Sequence, residues 1–343
     1  MKTWLGRRPR VTDSPEPAGA PDHGPGTHDD GEHHDHEPHQ HPHVHPHREP
    51  ARDPDALPRI AFVGAGRVAS VLGPAFHAAG WPVSAVASRS PDRRVAFQSA
   101  VPGAKAFAEP AGVLDDADIV FLTVPDDAIA PLAASVRLYS GQALVHTSGL
   151  LPAAVLEPAR AAGTLLGSFH PLVAFADAER ATAALRGATI AVEGDEALVA
   201  VLAELAQAIG AQPVSVPARG KAAYHAAAVL AAGGFVALLD AIGELGRGAG
   251  LDEAGTLAIF GPLIRQSLAN AETLGVAAAL TGPVVRGDLG TIRAHLDAMS
   301  ALAPGARGLY VAAARREVAL AEGRGELSPE RAREVRALLD AGT

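Results

Sequence analysis

From residue 58 onward the hydrophobic positions fall into two textures. Short apolar runs of strand length lie at 59–63, 81–87, 119–124, 143–146, 165–169, 189–192 and 213–216. Between most of them the apolar residues recur at helical spacing, notably over 196–209. The run 119–124 (IVFLTV) is nearly continuous, as expected of a strand covered on both faces. Strands alternating with helices predict a parallel, doubly wound sheet, hence an α/β domain over 58–217. After Pro217 the strand signals stop. The stretches 221–247, 253–274, 289–302, 308–322 and 329–341 all read as helices, so 218–343 is expected to form an all-helical domain.

Residues 1–57 have a different texture. Ten of the fifteen histidines lie between His23 and His47, spaced by Asp, Glu, Pro and Gly with almost no apolar residues. Such a segment cannot bury enough surface to offset its ordering entropy, so a disordered His-rich tail is expected. Its imidazoles could hold Zn²⁺ or Ni²⁺ loosely, and a role in metal handling is one reading of the chain. No metal site is expected in the folded domains.

Composition narrows the classes. A net charge of −9 and 4% aromatics argue against a nucleic-acid partner. The chain has no cysteine, which excludes disulfides and a thiolate nucleophile and fits a cytoplasmic protein. Arg7 and Arg8 are followed by no apolar core of a secretory signal. The long uncharged stretch 222–239 is mostly Ala and Gly and carries Tyr224 and His225, so it reads as a buried helix rather than a membrane span.

The segment RIAFVGAGRVASVLGPAF places G-x-G-x-x-A directly after a strand and at a helix start. Gly64 allows the tight turn, Gly66 leaves room for a pyrophosphate, and Ala69 permits close helix–strand packing. The phosphates would rest on the backbone of Ala65, Gly66, Arg67 and Val68, at the helix N-terminus. The second strand ends Ala87-Ser88-Arg89-Ser90, without the acidic residue that holds an unphosphorylated ribose. Hydroxyls from Ser88 and Ser90 with the Arg89 guanidinium suit a 2′-phosphate, and Arg93, Arg94 and Arg67 are close in sequence. The cofactor expected is therefore NADP(H). Val124 and Pro125, after the fourth strand, should border the nicotinamide ribose. Asp126 and Asp127 follow them, and at least one is expected to cap the next helix.

Four further pieces carry candidate chemistry. His146-Thr147-Ser148-Gly149 and Gly167-Ser168-Phe169-His170-Pro171 each end a strand, so both point to the ligand side of the sheet. Ser148 and His170 could bind a carbonyl or carboxylate there, or simply form turns. Lys221-Ala-Ala-Tyr224-His225 opens the alanine-rich helix and puts three functional side chains on one face. The chain has three lysines against 26 arginines. A lysine at this position could give up a proton to a reduced carbonyl, and His225 could do the same. Finally, in Thr281-Gly-Pro-Val-Val-Arg286-Gly-Asp288, Arg286 could clamp a carboxylate bidentately, while Asp288 could pair with Arg286 or cap a helix through Thr291.

Taken together, IAFVGAGRVA, FLTVPDDAI, VHTSG, GSFHPL, KAAYHAAAVLA and LTGPVVRGD resemble a family of Rossmann-like oxidoreductases whose C-terminal half is a domain of unknown function. The resemblance spans roughly residues 58–320. It implies a fold similar to 6-phosphogluconate dehydrogenase and pyrroline-5-carboxylate reductase, with a helical domain that forms a homodimer. Some members look like alternative ketopantoate reductases, which would place Lys221 near the carbonyl and Arg286 near the carboxylate of a 2-keto acid. Similar proteins often carry Asn and a larger residue where this chain has Gly233-Gly234. The function expected is NADP-dependent hydride transfer to a small keto acid or imine. The alternatives are pyrroline-5-carboxylate or deazaflavin-type reduction, and a catalytically silent NADP(H) sensor.

Overall fold

A computed structural model describes residues 56–161 and 163–341. The tail predicted over 1–57 falls almost wholly outside the described residues. The chain forms two compact units, one up to His225 and one from Ala226 onward.

The first unit is an eight-stranded sheet of order β3-β2-β1-β4-β5-β6-β7-β8. Its strands are β1 (Ile60–Val63), β2 (Val83–Ala87), β3 (Lys105–Phe107), β4 (Ile119–Leu122), β5 (Ala143–His146), β6 (Leu165–Pro171), β7 (Thr189–Gly194) and β8 (Gln212–Ser215). Five helices accompany them: α1 (Ala69–Ala78), α2 (Pro91–Ala100), α3 (Asp126–Ser135), α4 (Ala178–Leu185) and α5 (Glu196–Ala208). The expected parallel, doubly wound sheet is found, with one pairing that departs from it. β6 and β7 pair antiparallel, through Phe169 opposite Val192, so β7 and β8 run against the other strands. The short β3 was not expected, since Lys-Ala-Phe is too brief to give a periodic signal.

One face of the sheet is aromatic. Phe62, Phe76, Phe97, Phe121 and Phe169 lie at its centre, with Phe121 5.5 Å from Phe62, 5.6 Å from Phe76 and 5.6 Å edge-on to Phe169. More than half of the chain's nine phenylalanines are thus spent fastening α1 and α2 to β1, β4 and β6. The other face is aliphatic, with Val63, Leu122, Ile129, Leu144 and Leu156. Each fully buried side chain of this size stabilises by about 1.5–3 kcal/mol. Between β1 and β4 the chain order reverses, since β2 and β3 extend to one side and β5 to β8 to the other. Such a switch point opens a crevice at the carboxyl ends of the strands.

The second unit is helical. A single helical stretch, Ala218–Gly248, leads into it. It comprises α6 (Lys221–Val229), a wide π-turn over Leu230–Gly234, and α7 (Phe235–Gly248). Then come α8 (Glu253–Leu274), α9 (Val276–Ala279), α10 (Leu289–Leu302), α11 (Arg307–Gly323) and α12 (Pro329–Asp340). The last three enclose a core of Ile292, Leu296, Val311, Val318, Val335 and Leu339. Asp288 caps α10, accepting from the Thr291 amide at 3.1 Å and its hydroxyl at 2.7 Å. α7 packs closely on α8 because Gly246 has no side chain: a Cβ there would lie 2.1 Å from Thr256 Oγ1.

The long helix corrects a second expectation. It was read as buried, yet only 6% of its most apolar window is buried in this chain, and Leu230 and Val236 are 71% and 64% exposed. Ala-rich composition favours a helix, but it does not say what covers it.

Candidate active site

The loop after β1 is shaped by one close approach. Gly64 has φ +101°, and a Cβ on it would lie 2.6 Å from the Thr123 carbonyl oxygen. The Thr123 hydroxyl donates to the Gly64 carbonyl at 2.7 Å, tying the ends of β1 and β4 together. Gly66 is different: a Cβ there would meet nothing nearer than 3.8 Å. The protein leaves that space open. The amides from Ala65 to Ala69 have no backbone partner among the described residues. A row of free N–H groups at a helix start, beside open room, fits a diphosphate.

The loop after β2 supplies positive charge. The Ser88 hydroxyl accepts the Ser90 amide at 3.3 Å, and the Ser90 hydroxyl accepts the Arg93 amide at 3.3 Å, capping α2. Arg94 donates to the Ser88 carbonyl at 2.5 Å, so it braces the loop. Arg67, Arg89 and Arg93 form no ion pair among the described residues and are exposed. Arg67 and Arg93 line a cleft with Gly66, Ser70 and Phe97. These groups fit a phosphorylated adenosine.

Beyond the carboxyl ends of β4, β5 and β6 the functional side chains converge. Asp126 and Asp127 sit in the first turn of α3, but neither caps it. Pro125 occupies the cap position without a side-chain bond, which corrects the expectation for the acidic pair. Asp126 instead accepts the Ser148 hydroxyl proton at 2.7 Å. That hydroxyl also accepts the amides of Leu150 and Leu151, both at 3.1 Å. Ser148, expected at a substrate, is thus fully engaged in shaping its own turn.

His146 is completely buried. Its Nδ1 accepts the Ser148 amide at 3.2 Å, so Nε2 carries the proton and donates to the Pro152 carbonyl at 3.2 Å. Burial, aided by the Lys221 charge, pushes its pKa down to about 4. His170 Nδ1 lies 3.1 Å from the Tyr224 hydroxyl, and its ring stands 5.7 Å from that of His225. Its pKa is also lowered to about 4, first by burial and then by His225 and Lys221. Burial raises that of Tyr224. His225 Nδ1 is buried and has no hydrogen-bond partner among the described residues. Gly149 fits under both imidazoles: a Cβ on it would come 2.5 Å from His225 Nδ1 and 2.7 Å from His170 Nε2.

Lys221 lies beneath this group, 1% exposed. Its ammonium donates to the Ser168 hydroxyl at 2.7 Å and pairs with Glu193 at 3.4 Å. Glu193 also accepts the Ala153 amide at 2.9 Å. Burial pulls the Lys221 pKa down, while Glu193 opposes it. Sequence reasoning missed Glu193; the signal was a lone carboxylate at the end of an otherwise apolar strand. Arg286, on the loop ahead of α10 in the second unit, is exposed.

Comparison with known proteins agrees with this geometry. Residues 59–148 match the family described as NADP oxidoreductase, coenzyme F420-dependent. Residues 188–317 match a domain of unknown function, DUF2520. The chain joins an NADP oxidoreductase Rossmann domain to a DUF2520 domain. By that pairing it is an NAD(P)-dependent oxidoreductase, with NADP as its cofactor. No curated protein matches. Among solved structures it is similar to a Thermotoga maritima protein, at 27% identity and TM-score 0.60, covering 77% of this chain and 99% of that one. An imine reductase from a Pseudomonas species shares the fold at 19% identity and TM-score 0.59, over 84% of this chain and 100% of the other. So does a reductive aminase from Aspergillus terreus solved with NADPH, at 17% identity and TM-score 0.60, over 84% and 100%.

Two measurements check this site. Gly64→Ala should cost stability, on the order of 2–4 kcal/mol, because it meets backbone and a positive φ. Gly66→Ala should leave the melting temperature nearly unchanged and weaken NADPH binding by about tenfold or more; equal behaviour of the two variants would contradict the assignment. The histidines predict a pH dependence. Below about 6.5 the unfolded chain takes up protons that folded His146 and His170 refuse until about 4. Stability should therefore fall as the pH drops from about 6.5 to about 4 in urea titrations, and His170→Gln should flatten that slope.

Proposed function

We propose that the chain is an NADPH-dependent reductase of a small molecule carrying a C=O or C=N bond. The observation that carries this reading is the row of amides from Ala65 to Ala69 at the β1/β4 switch point, unpartnered among the described residues, at the carboxyl ends of the sheet strands, where β6 bears His170 against Tyr224 and His225 of α6. When bound, NADPH supplies a hydride. Gly64 to Val68 would hold its diphosphate. Ser88, Arg89 and Ser90, with Arg67 and Arg93, would take the adenosine phosphate, and Val124 and Pro125 the nicotinamide side. His170 and His225 face the substrate in this reading, and Tyr224 shares its proton with His170. Lys221 acts as a fixed charge that positions the helix bearing Tyr224 and His225. Arg286 is proposed to take a substrate carboxylate.

Purified protein should quench NADPH fluorescence saturably and prefer NADPH to NADH. It should then oxidise NADPH with at least one of ketopantoate, other 2-keto acids, 1-pyrroline or pyrroline-5-carboxylate. Tight NADPH binding without turnover of any of these would favour the sensor reading instead.

We also propose that a second copy of this chain covers the exposed apolar faces of the π-turn, α7 and α8, where Leu230, Val236, Leu263 and Leu268 are each more than half exposed. The helix 218–248 is long and apolar enough to cross a membrane, but Asp240, Glu244 and Arg247 on α7 suit a protein interface better. Light scattering should give twice the mass of one chain in detergent-free buffer. A monomer, or partition into vesicles, would reject the assignment.

A further inference from the structure

The substrate end of the first unit is negative. Asp126 has the Ser148 hydroxyl as its hydrogen-bond partner and forms no ion pair among the described residues. Ser148 runs directly into Gly149, where an added Cβ would collide with the edges of both His170 and His225. The carboxylate and the two imidazoles therefore flank a single two-residue step of backbone. Lys221, whose charge Asp126 feels, is already matched by Glu193 at 3.4 Å. His146 and His170 are held neutral at pH 7. The acidic charge of Asp126 is left unbalanced, with that of Asp127 next to it in the same exposed turn.

We infer that Asp126 selects a substrate bearing positive charge at the bond to be reduced, a protonated imine, over a 2-keto acid. The inference rests on the reductase reading above and names the substrate class of that site. Coulomb attraction is weak in water but several-fold stronger once ligands exclude solvent. An iminium would gain from that change beside Asp126, and a carboxylate would lose.

The proton balance points the same way. When an iminium is reduced, its carbon gains a hydride with both electrons, the C=N π pair becomes the nitrogen lone pair, and no proton is consumed. When a ketone is reduced, the π pair goes to oxygen and the alkoxide must be protonated by the protein. Three of the four groups placed to do so, all but His225, are poor donors. The Lys221 ammonium is bonded to Ser168 and Glu193 and is 1% exposed. His170 carries no extra proton at pH 7, and burial makes the Tyr224 hydroxyl a weaker acid. A substrate that arrives already protonated needs none of them.

The charge is removable without changing shape, because the Asn oxygen of Asp126→Asn still accepts the Ser148 proton. Calorimetry on the NADP⁺-loaded protein would compare pyrrolidine, a ring amine charged at neutral pH, with lactate, a 2-hydroxy acid. The wild type should bind pyrrolidine at least about tenfold tighter than lactate. Asp126→Asn should cut that ratio at least about fivefold, and Asp126→Glu should largely restore it. In turnover, kcat/KM for 1-pyrroline relative to a 2-keto acid should move in parallel. Equal affinity for the two probes, or an unchanged ratio in Asp126→Asn, would overturn this inference while leaving the reductase reading intact. Failure to bind NADP⁺ at all would remove that reading, and this inference with it.

Discussion

One buried ammonium group fixes the geometry on which the site depends. Lys221 stands at the first position of α6 and reaches Ser168 on β6 and Glu193 on β7. Three elements distant in sequence are joined at a point almost closed to water. A buried ion pair adds little net stability over an apolar replacement, but losing one partner leaves the other charge stranded at a cost of about 3–5 kcal/mol. Its value here is register. With Lys221 pinned, Tyr224 and His225 fall one turn later on the same helix face, where they meet His170 and Gly149.

Much of the fold was legible because its pattern is local. The strand 143–146 and the helices 253–274 and 289–302 match the structure residue for residue, since each is bounded by turn residues and has a clear apolar period. The antiparallel pairing of β6 and β7 was not legible, because strand direction depends on how the connection containing α4 returns, not on the strands themselves. The glycine loop could be read from residue types alone. Its two glycines nevertheless serve different masters: a Cβ on Gly64 would collide with the Thr123 carbonyl, whereas one on Gly66 would only touch it at 3.8 Å.

The side chains of the site were less legible. Lys221, His170 and His225 could be nominated, yet their states could not. Lys221 was expected at a carbonyl and is instead satisfied by protein acceptors. Ser148 was expected to hold substrate and is saturated by its own turn and Asp126. Glu193 escaped notice because its partners are far along the chain. Burial and partner choice are tertiary facts, and they decide whether an ionisable group is a reagent or a strut.

The wide turn at Leu230–Gly234 has a consequence for the helix that carries it. An α-helix advances about 100° per residue, so a turn holding one extra residue shifts the angular phase of all that follows by an amount of that order. The face that begins at Lys221 and His225 is therefore not the face that continues through Phe235 and Val236. Gly233 and Gly234, which have room for a Cβ, make that dislocation inexpensive for the backbone to adopt. A single helix can in this way point its polar head toward chemistry and its apolar stem in an independent direction.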